Sequence, residues 1–129
     1  MSRQNIASGY AYEDEYGYSR AVRVGNQVFV SGTTARLPHL NGNAYDQAKA
    51  VLSIVEEVLL QAGATLHHVV RTVVYVVDMA DAPLVARAHA ETFGQVRPAS
   101  TFVQIAALTP STARVEVEVT AIVGDDPCK

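Results

Sequence analysis

The chain has no tryptophan, a single cysteine and no block of like charge. Each scarcity removes a class of protein. One thiol, Cys128, can form no internal disulfide, so disulfide-framed secreted scaffolds are excluded and Cys128 reads as a bystander suited to a reducing cytoplasm. The arginines stand singly, at 3, 20, 23, 36, 71, 87, 97 and 114, and the formal net charge is −3. No basic stripe is available to neutralise phosphates, which disfavours nucleic acid as a partner. The apolar runs are interrupted well short of a membrane span, and residues 1–18 are polar with no apolar signal core, so no membrane is expected. The phosphate-cradling and nucleophile-elbow motifs (GxGxxG, Walker A, GxSxG) are absent. His39, His67, His68 and His89 have no companions at metal-ligand spacing, and no metal site is expected.

The 129 residues are 49% hydrophobic and 18% charged, ample for the core of one domain over 1–129. Residues 1–18, rich in Tyr, Glu, Asp and Gly, read as an irregular arm. Ala21 to Ser31 reads as a hairpin turning at Gly25-Asn26, and the Ser31-Gly32 that closes it suggests a bulge or a close backbone approach. Arg36 to Gly42 is a loop or short edge strand. Apolar positions 44, 48, 51, 52, 55, 58, 59 and 62 have helical spacing, with Asn43 as cap and Gly63 as left-handed stop. Leu66 to Val77, dense in valine and opened by His67-His68, suits a central strand. A second helix begins near Pro83 and ends at Gly94.

Two strands follow. Ser100 to Ala106 places Thr101, Val103 and Ile105 on one side. Arg114 to Val123 alternates, with Val115, Val117, Val119, Ala121 and Val123 on one face and Arg114, Glu116, Glu118, Thr120 and Ile122 on the other. Helices so interspersed cover one face of a mixed sheet, an α+β arrangement. The other face, apolar along the central strand, is wider than soluble monomers usually leave bare, and self-association is expected to bury it.

Glu116 and Glu118 point the same way. On a face buried by association, a carboxylate must be paired or carry a raised pKa, and such a group can donate a proton or orient a water. A solvated face is the plainer reading of the same spacing. Tyr10, Tyr12, Tyr16 and Tyr18 cluster in the arm, either packing over a surface or closing a small-ligand pocket. His89, one turn from Val85 and Phe93, reads first as a core or interface histidine.

The stretches Gly17-Tyr18-Ser19-Arg20-Ala21-Val22, Val30-Ser31-Gly32, the Gln47-to-Gly63 helix and Val69-Val70-Arg71-Thr72-Val73-Val74-Tyr75 come in a characteristic order. With Arg97-Pro98-Ala99-Ser100-Thr101 and Val115-Glu116-Val117-Glu118, they resemble the Rid (YjgF) family of imine/enamine deaminases over nearly the whole chain. That resemblance implies a chorismate-mutase-like fold, a mixed six-stranded sheet covered on one face by two helices. It also implies a homotrimer whose sheets form a central barrel with clefts between subunits. Family members hydrolyse small imines and enamines with no metal or cofactor of their own.

Carried over by position, Tyr18 matches the cleft tyrosine, and Ser31 and Gly32, with Thr33 beside them, match the Ser-Gly that lines the cleft. Glu116 matches the glutamate thought to position water, if one extra residue is allowed in the 106–114 loop; Glu118 is the alternative. The departure lies after Pro98-Ala99, where the deaminase prototype has an arginine that clamps the substrate carboxylate and this chain has Ser100. Arg20 and Arg97 are candidates to supply the missing charge, His89 a further polar wall, and Ser100 or Thr101 hydrogen-bonding partners for substrate. The expected function is hydrolytic deamination, or related water or proton transfer, on a small imine, enamine or reactive carbonyl compound. The alternative is a non-catalytic small-ligand-binding or regulatory trimer. Ribonuclease activity, with which family members are often labelled, is disfavoured by the charge.

Overall fold

The computed structural model describes residues 2–124, so Cys128 lies outside the described residues. Six strands, β1 (Arg3–Ile6), β2 (Ala21–Val24), β3 (Gln27–Thr33), β4 (Val69–Val76), β5 (Ala99–Gln104) and β6 (Val115–Ile122), form one sheet in the order β1-β2-β3-β6-β4-β5. All neighbours are antiparallel except β4 and β5. The helices are α1 (Ala11–Tyr16), α2 (Ala44–Gln61) and α3 (Ala82–Phe93). Because β6 inserts between β3 and β4, α2 makes a split crossover, whereas α3 connects adjacent parallel strands. This is the mixed six-stranded α+β sheet that was expected.

The locally encoded elements form as read. Asn43 caps α2 by accepting from the Asp46 amide at 2.9 Å, and Gly63 follows it at φ 80°. Gly25 opens the two-residue hairpin loop at φ 59°, a conformation glycine takes without a steric penalty. Val51, Val55 and Leu59 of α2 and Val85 of α3 pack onto Val74, Val76, Val115 and Val117 of the sheet, all essentially inaccessible. Gln47, fully buried in α2, accepts from the Arg114 amide at 2.8 Å and donates to the Leu40 and Thr112 carbonyls. It thereby ties the helix to the entry of β6, two residues before Glu116.

Two local expectations need correction, on residues 1–18 and on His67-His68. The segment 1–18 is not irregular: it holds edge strand β1 and helix α1. Of the two readings of Arg36 to Gly42 the loop holds, with a short 3-10 turn at His39–Asn41. His67 and His68 lie in another such turn before β4, where His68 Nδ1 accepts from the Thr65 amide at 3.0 Å. The expected second helix, α3, ends at Gly94 as read, with Gly94 right-handed and a left-handed residue following at Arg97 (φ 58°).

The helices cover one face only. On the other, Phe29, Val103 and Ile122 are 45%, 36% and 42% exposed, beside Tyr75, Glu116 and Glu118. Among the described residues no helix is long and apolar enough to cross a membrane.

Candidate functional site

The site starts from an irregularity in β3. Val30 pairs with Val119 and Thr33 with Val117, so β3 uses one residue more than β6 across this step. The bulge holds Ser31 and Gly32. A β-carbon on Gly32 would stand 2.7 Å from Glu116 Cδ and 2.8 Å from its Oε1, closer than any side chain tolerates. Glycine is therefore what lets the Glu116 carboxylate lie against the backbone of β3.

Around this contact lies a hollow of about 650 Å³, walled by Tyr10, Tyr12, Tyr16 and Tyr18, by Ser31 and Gly32, and by Glu116, Glu118 and Tyr75. Leu108 and Thr109 from the loop before β6 close one end. Two carboxylates of the same strand differ here. Tyr75 faces Glu116 across the strand pair, but its hydroxyl donates to Glu118 Oε1 at 2.6 Å. That hydrogen bond, followed by burial, raises the Tyr75 pKa. Glu116 is half-buried and, among the described residues, accepts no hydrogen bond. Burial pushes its carboxyl above the ordinary carboxylate value; the Arg20 charge opposes the rise and Glu118 adds to it.

Beneath the hollow, Arg20 is 1% exposed. Its guanidinium donates to Glu13 Oε2 (3.2 Å), the Gly32 carbonyl (2.8 Å), Thr33 Oγ1 (2.9 Å) and the Tyr18 hydroxyl (2.9 Å). Thr33 passes its own proton to the Ser31 carbonyl at 2.8 Å, and Ser31 Oγ donates to the Ser19 carbonyl at 2.7 Å. Glu13 is buried in α1. Burial pushes its carboxyl up, but two donors from Ser8 and the Arg20 charge outweigh that and hold it below the usual range. The ion pair anchors the tyrosine-bearing helix to the floor of the site. Since Tyr18 Oη accepts from Arg20, its own proton remains free for a ligand.

Tyr18, Ser31, Gly32, Glu116 and Glu118 thus gather at one hollow, with Arg20 and Thr33 under its floor rather than in its wall. Arg20 does not replace a substrate-clamping arginine, because its guanidinium is buried and spread over four partners within the chain. Arg97 does not either: it is exposed, and its Nε donates to the Gly94 carbonyl at 3.0 Å beyond the end of α3. His89, Ser100 and Thr101 are not part of this hollow within one chain. Thr72 Oγ1 lies 2.9 Å from His89 Nε2 and donates to Ser100 Oγ at 2.7 Å, a polar chain on the helix-covered side. Burial lowers the His89 pKa, keeping the ring neutral at pH 7. Thr101 lies on the other side of β5, accepting from Arg71 Nη2 at 3.3 Å.

Tyr75, Leu108 and Thr109 were not singled out by sequence. Tyr75 shared the parity of Arg71 and Val73 on β4, but only cross-strand register shows that this parity faces the glutamates. Among the described residues, no three His, Cys, Asp or Glu side chains gather as a metal ion would require.

An open-faced α+β sheet, with a bulged Ser-Gly pressed against a glutamate and tyrosines over it, defines a class of small proteins with a ligand-sized hollow beside an uncovered sheet. Residues 10–123 match the family model described as Endoribonuclease L-PSP, and the chain belongs to this family, also called YjgF/Rid. An uncharacterised protein of Streptomyces coelicolor is 34% identical over 124 residues, 94% of this chain and 92% of its own length. The 2-iminobutanoate/2-iminopropanoate deaminase of Mus musculus is 34% identical over 111 residues, 83% of this chain and 82% of its own. The crystal structure of a YjgF-family member from Mycobacterium tuberculosis, 41% identical, superposes with a TM-score of 0.88 over 95% of this chain and 100% of that one.

Proposed function

We propose that this protein is a hydrolytic deaminase of small imines or enamines, working at clefts closed by a second copy of the chain in a trimer. The observation that carries the reading is Glu116, a half-desolvated carboxylate with no hydrogen-bond partner among the described residues, held by Gly32 at the wall of a hollow that also presents the Tyr18 hydroxyl. Such a group is a proton acceptor waiting for a donor.

The chemistry follows from the placement. A water bound to Glu116 forms a C–O bond to the imine carbon while the C=N π pair moves onto nitrogen. Glu116 takes the water's proton and then delivers it to that nitrogen. Glu116 next takes the hydroxyl proton of the resulting amino alcohol and passes it to the departing nitrogen, the C–N bond breaks as the carbonyl forms, and ammonia leaves. Water and imine become ketone or aldehyde and ammonia, with no redox change. Tyr18, donating its free proton, steadies the oxygen or nitrogen that gains electron density.

Association supplies what one chain lacks. β5 is an exposed edge strand, and Ser100 near its start, which does not line the hollow within one chain, would be brought to it by the edge of another copy. Three copies closing their open faces into a barrel, the chorismate-mutase-like arrangement, would satisfy both the apolar face and the incomplete cleft. The test is ammonia release from imines generated in situ by an amino-acid oxidase, with light scattering on the same samples. Accelerated release by the wild type, lost in Glu116→Ala, with a trimeric mass supports the reading. A monomer, or acceleration unchanged in Glu116→Ala, overturns it.

A further inference from the structure

The charge and lining of the hollow narrow the substrate beyond "imine". Nine of its named walls are five tyrosines, two glutamates and the Ser31-Gly32 bulge, with apolar Ile105 and Leu108 at the rim. Among the described residues no lysine, arginine or histidine lines it. The nearby guanidiniums are turned to other work. Arg20 donates to four groups beneath the floor, and Arg36 lies 3.4 Å from the centroid of the Tyr10 ring, its Nη1 donating to the Thr34 carbonyl and hydroxyl and its buried Nη2 without a partner among the described residues. At the β5 edge that a second copy would present, Ser100 is neutral, and Arg71 on the open face donates to Thr101 Oγ1 at 3.3 Å.

A ligand carboxylate placed here would meet two like charges in the wall, with the nearest cation, Arg20, under the floor and engaged by four partners. A protonated imine meets the reverse: carboxylates for its N–H groups and electron-rich ring faces on either side. Glu118 is built for that role. Tyr75 occupies its Oε1 and orients it, leaving Oε2 to accept from the ligand, while Glu116 stays free for water. Tyr12 and Tyr16 stack with ring planes 10° apart and centroids 5.4 Å apart, and Tyr10 meets Tyr12 edge-on, so the wall is a connected aromatic surface rather than separate side chains.

We infer that the hollow selects a cationic, carboxylate-free imine bearing an apolar or aromatic group, with Glu118 anchoring the iminium charge and the tyrosines enclosing it. This rests on the deaminase reading for the reaction but not for the selectivity, which can be measured without turnover. The probes are benzylammonium and phenylacetate, similar in size and opposite in charge, titrated calorimetrically at pH 7 into the wild type and Glu118→Gln, with the unfolding midpoint of each recorded.

The expected result is binding of benzylammonium, weakened about tenfold in Glu118→Gln at an unchanged midpoint, and little or no binding of phenylacetate. Equal or tighter binding of phenylacetate overturns the inference and means that an arginine reaches the cleft from a second copy. Benzylammonium binding indifferent to Glu118→Gln, or absent, also overturns it. If benzylammonium is preferred while no imine is turned over, the deaminase reading falls and the cation selectivity stands. If imino acids are turned over and phenylacetate is preferred, the deaminase reading stands and the selectivity falls.

Discussion

Val117 and Glu116 are neighbours in β6 and belong to opposite worlds. Val117 points into a layer of valines under α2 and is 1% exposed; Glu116 points onto the open face, against Gly32, with no donor for its carboxylate among the described residues. The first side chain is stabilised by its environment and the second is held in an environment that disfavours its charged form. A strand that alternates every residue can thus serve the core and the site at once, because the two functions lie on opposite sides of one backbone. The helix-covered face supplies rigidity, and the uncovered face carries the groups with unsatisfied chemistry.

The sharpest way to break this comparison is at Glu116 itself. Glu116→Ala should lower imine turnover by about 10²–10⁴-fold, the usual contribution of a positioned acid–base group, while leaving the unfolding midpoint unchanged or slightly raised. A midpoint that falls with the activity would show that Glu116 is structural. Next in size is the floor of the site. Glu13→Gln leaves the buried Arg20 without its counter-charge and should destabilise the fold by about 3–5 kcal/mol in denaturant titration. Tyr18 would lose its orientation in the same step, so kcat should fall in the fraction that remains folded.

Val117→Ala provides the opposite control to Glu116→Ala. It should reduce stability by about 2 kcal/mol with turnover per folded molecule nearly intact. The smallest effect is the pH response. Because the folded pKa of Glu116 is raised, the folded chain binds more protons than the unfolded one between the ordinary value of 4.5 and the raised value. The stabilisation it contributes is present below that window and is lost as pH climbs through it. Glu116→Gln should therefore gain on the wild type in stability above the window, while wild-type kcat/KM rises with pH across the same range. Parallel stability curves for the two proteins would contradict the raised pKa.

The two faces were unequally legible in the sequence. The valine parity of β6, the stripe and cap of α2, and the glycine-led hairpin loop are local patterns, and each formed where the pattern lay. The resemblance of ordered motifs placed Tyr18, Ser31, Gly32 and Glu116 together, and the structure brings these residues to one hollow. What the patterns missed depended on partners distant in the chain. β1 has one buried apolar residue, Ile6, and is a strand because β2 offers it an edge. The six-residue α1 is too short to hold by propensity alone. It forms over the Glu13–Arg20 pair and ends at left-handed Gly17. Among the described residues the Tyr75 hydroxyl engages Glu118 and not Glu116, a difference between the two glutamates that the uncertain gap before β6 hid from the sequence.

By itself, then, the sequence determined the elements whose hydrophobic period exceeds a turn or two, the α+β class and the family, because periodicity and motif order are properties of the chain. The tertiary structure alone decided which side chains meet: that Arg20 lies under the site rather than in it, that Arg97 and Ser100 stand away from Glu116 within one chain, and that Tyr75 takes one glutamate and leaves the other free. Strand register and burial set those contacts, and both arise only when distant segments pack.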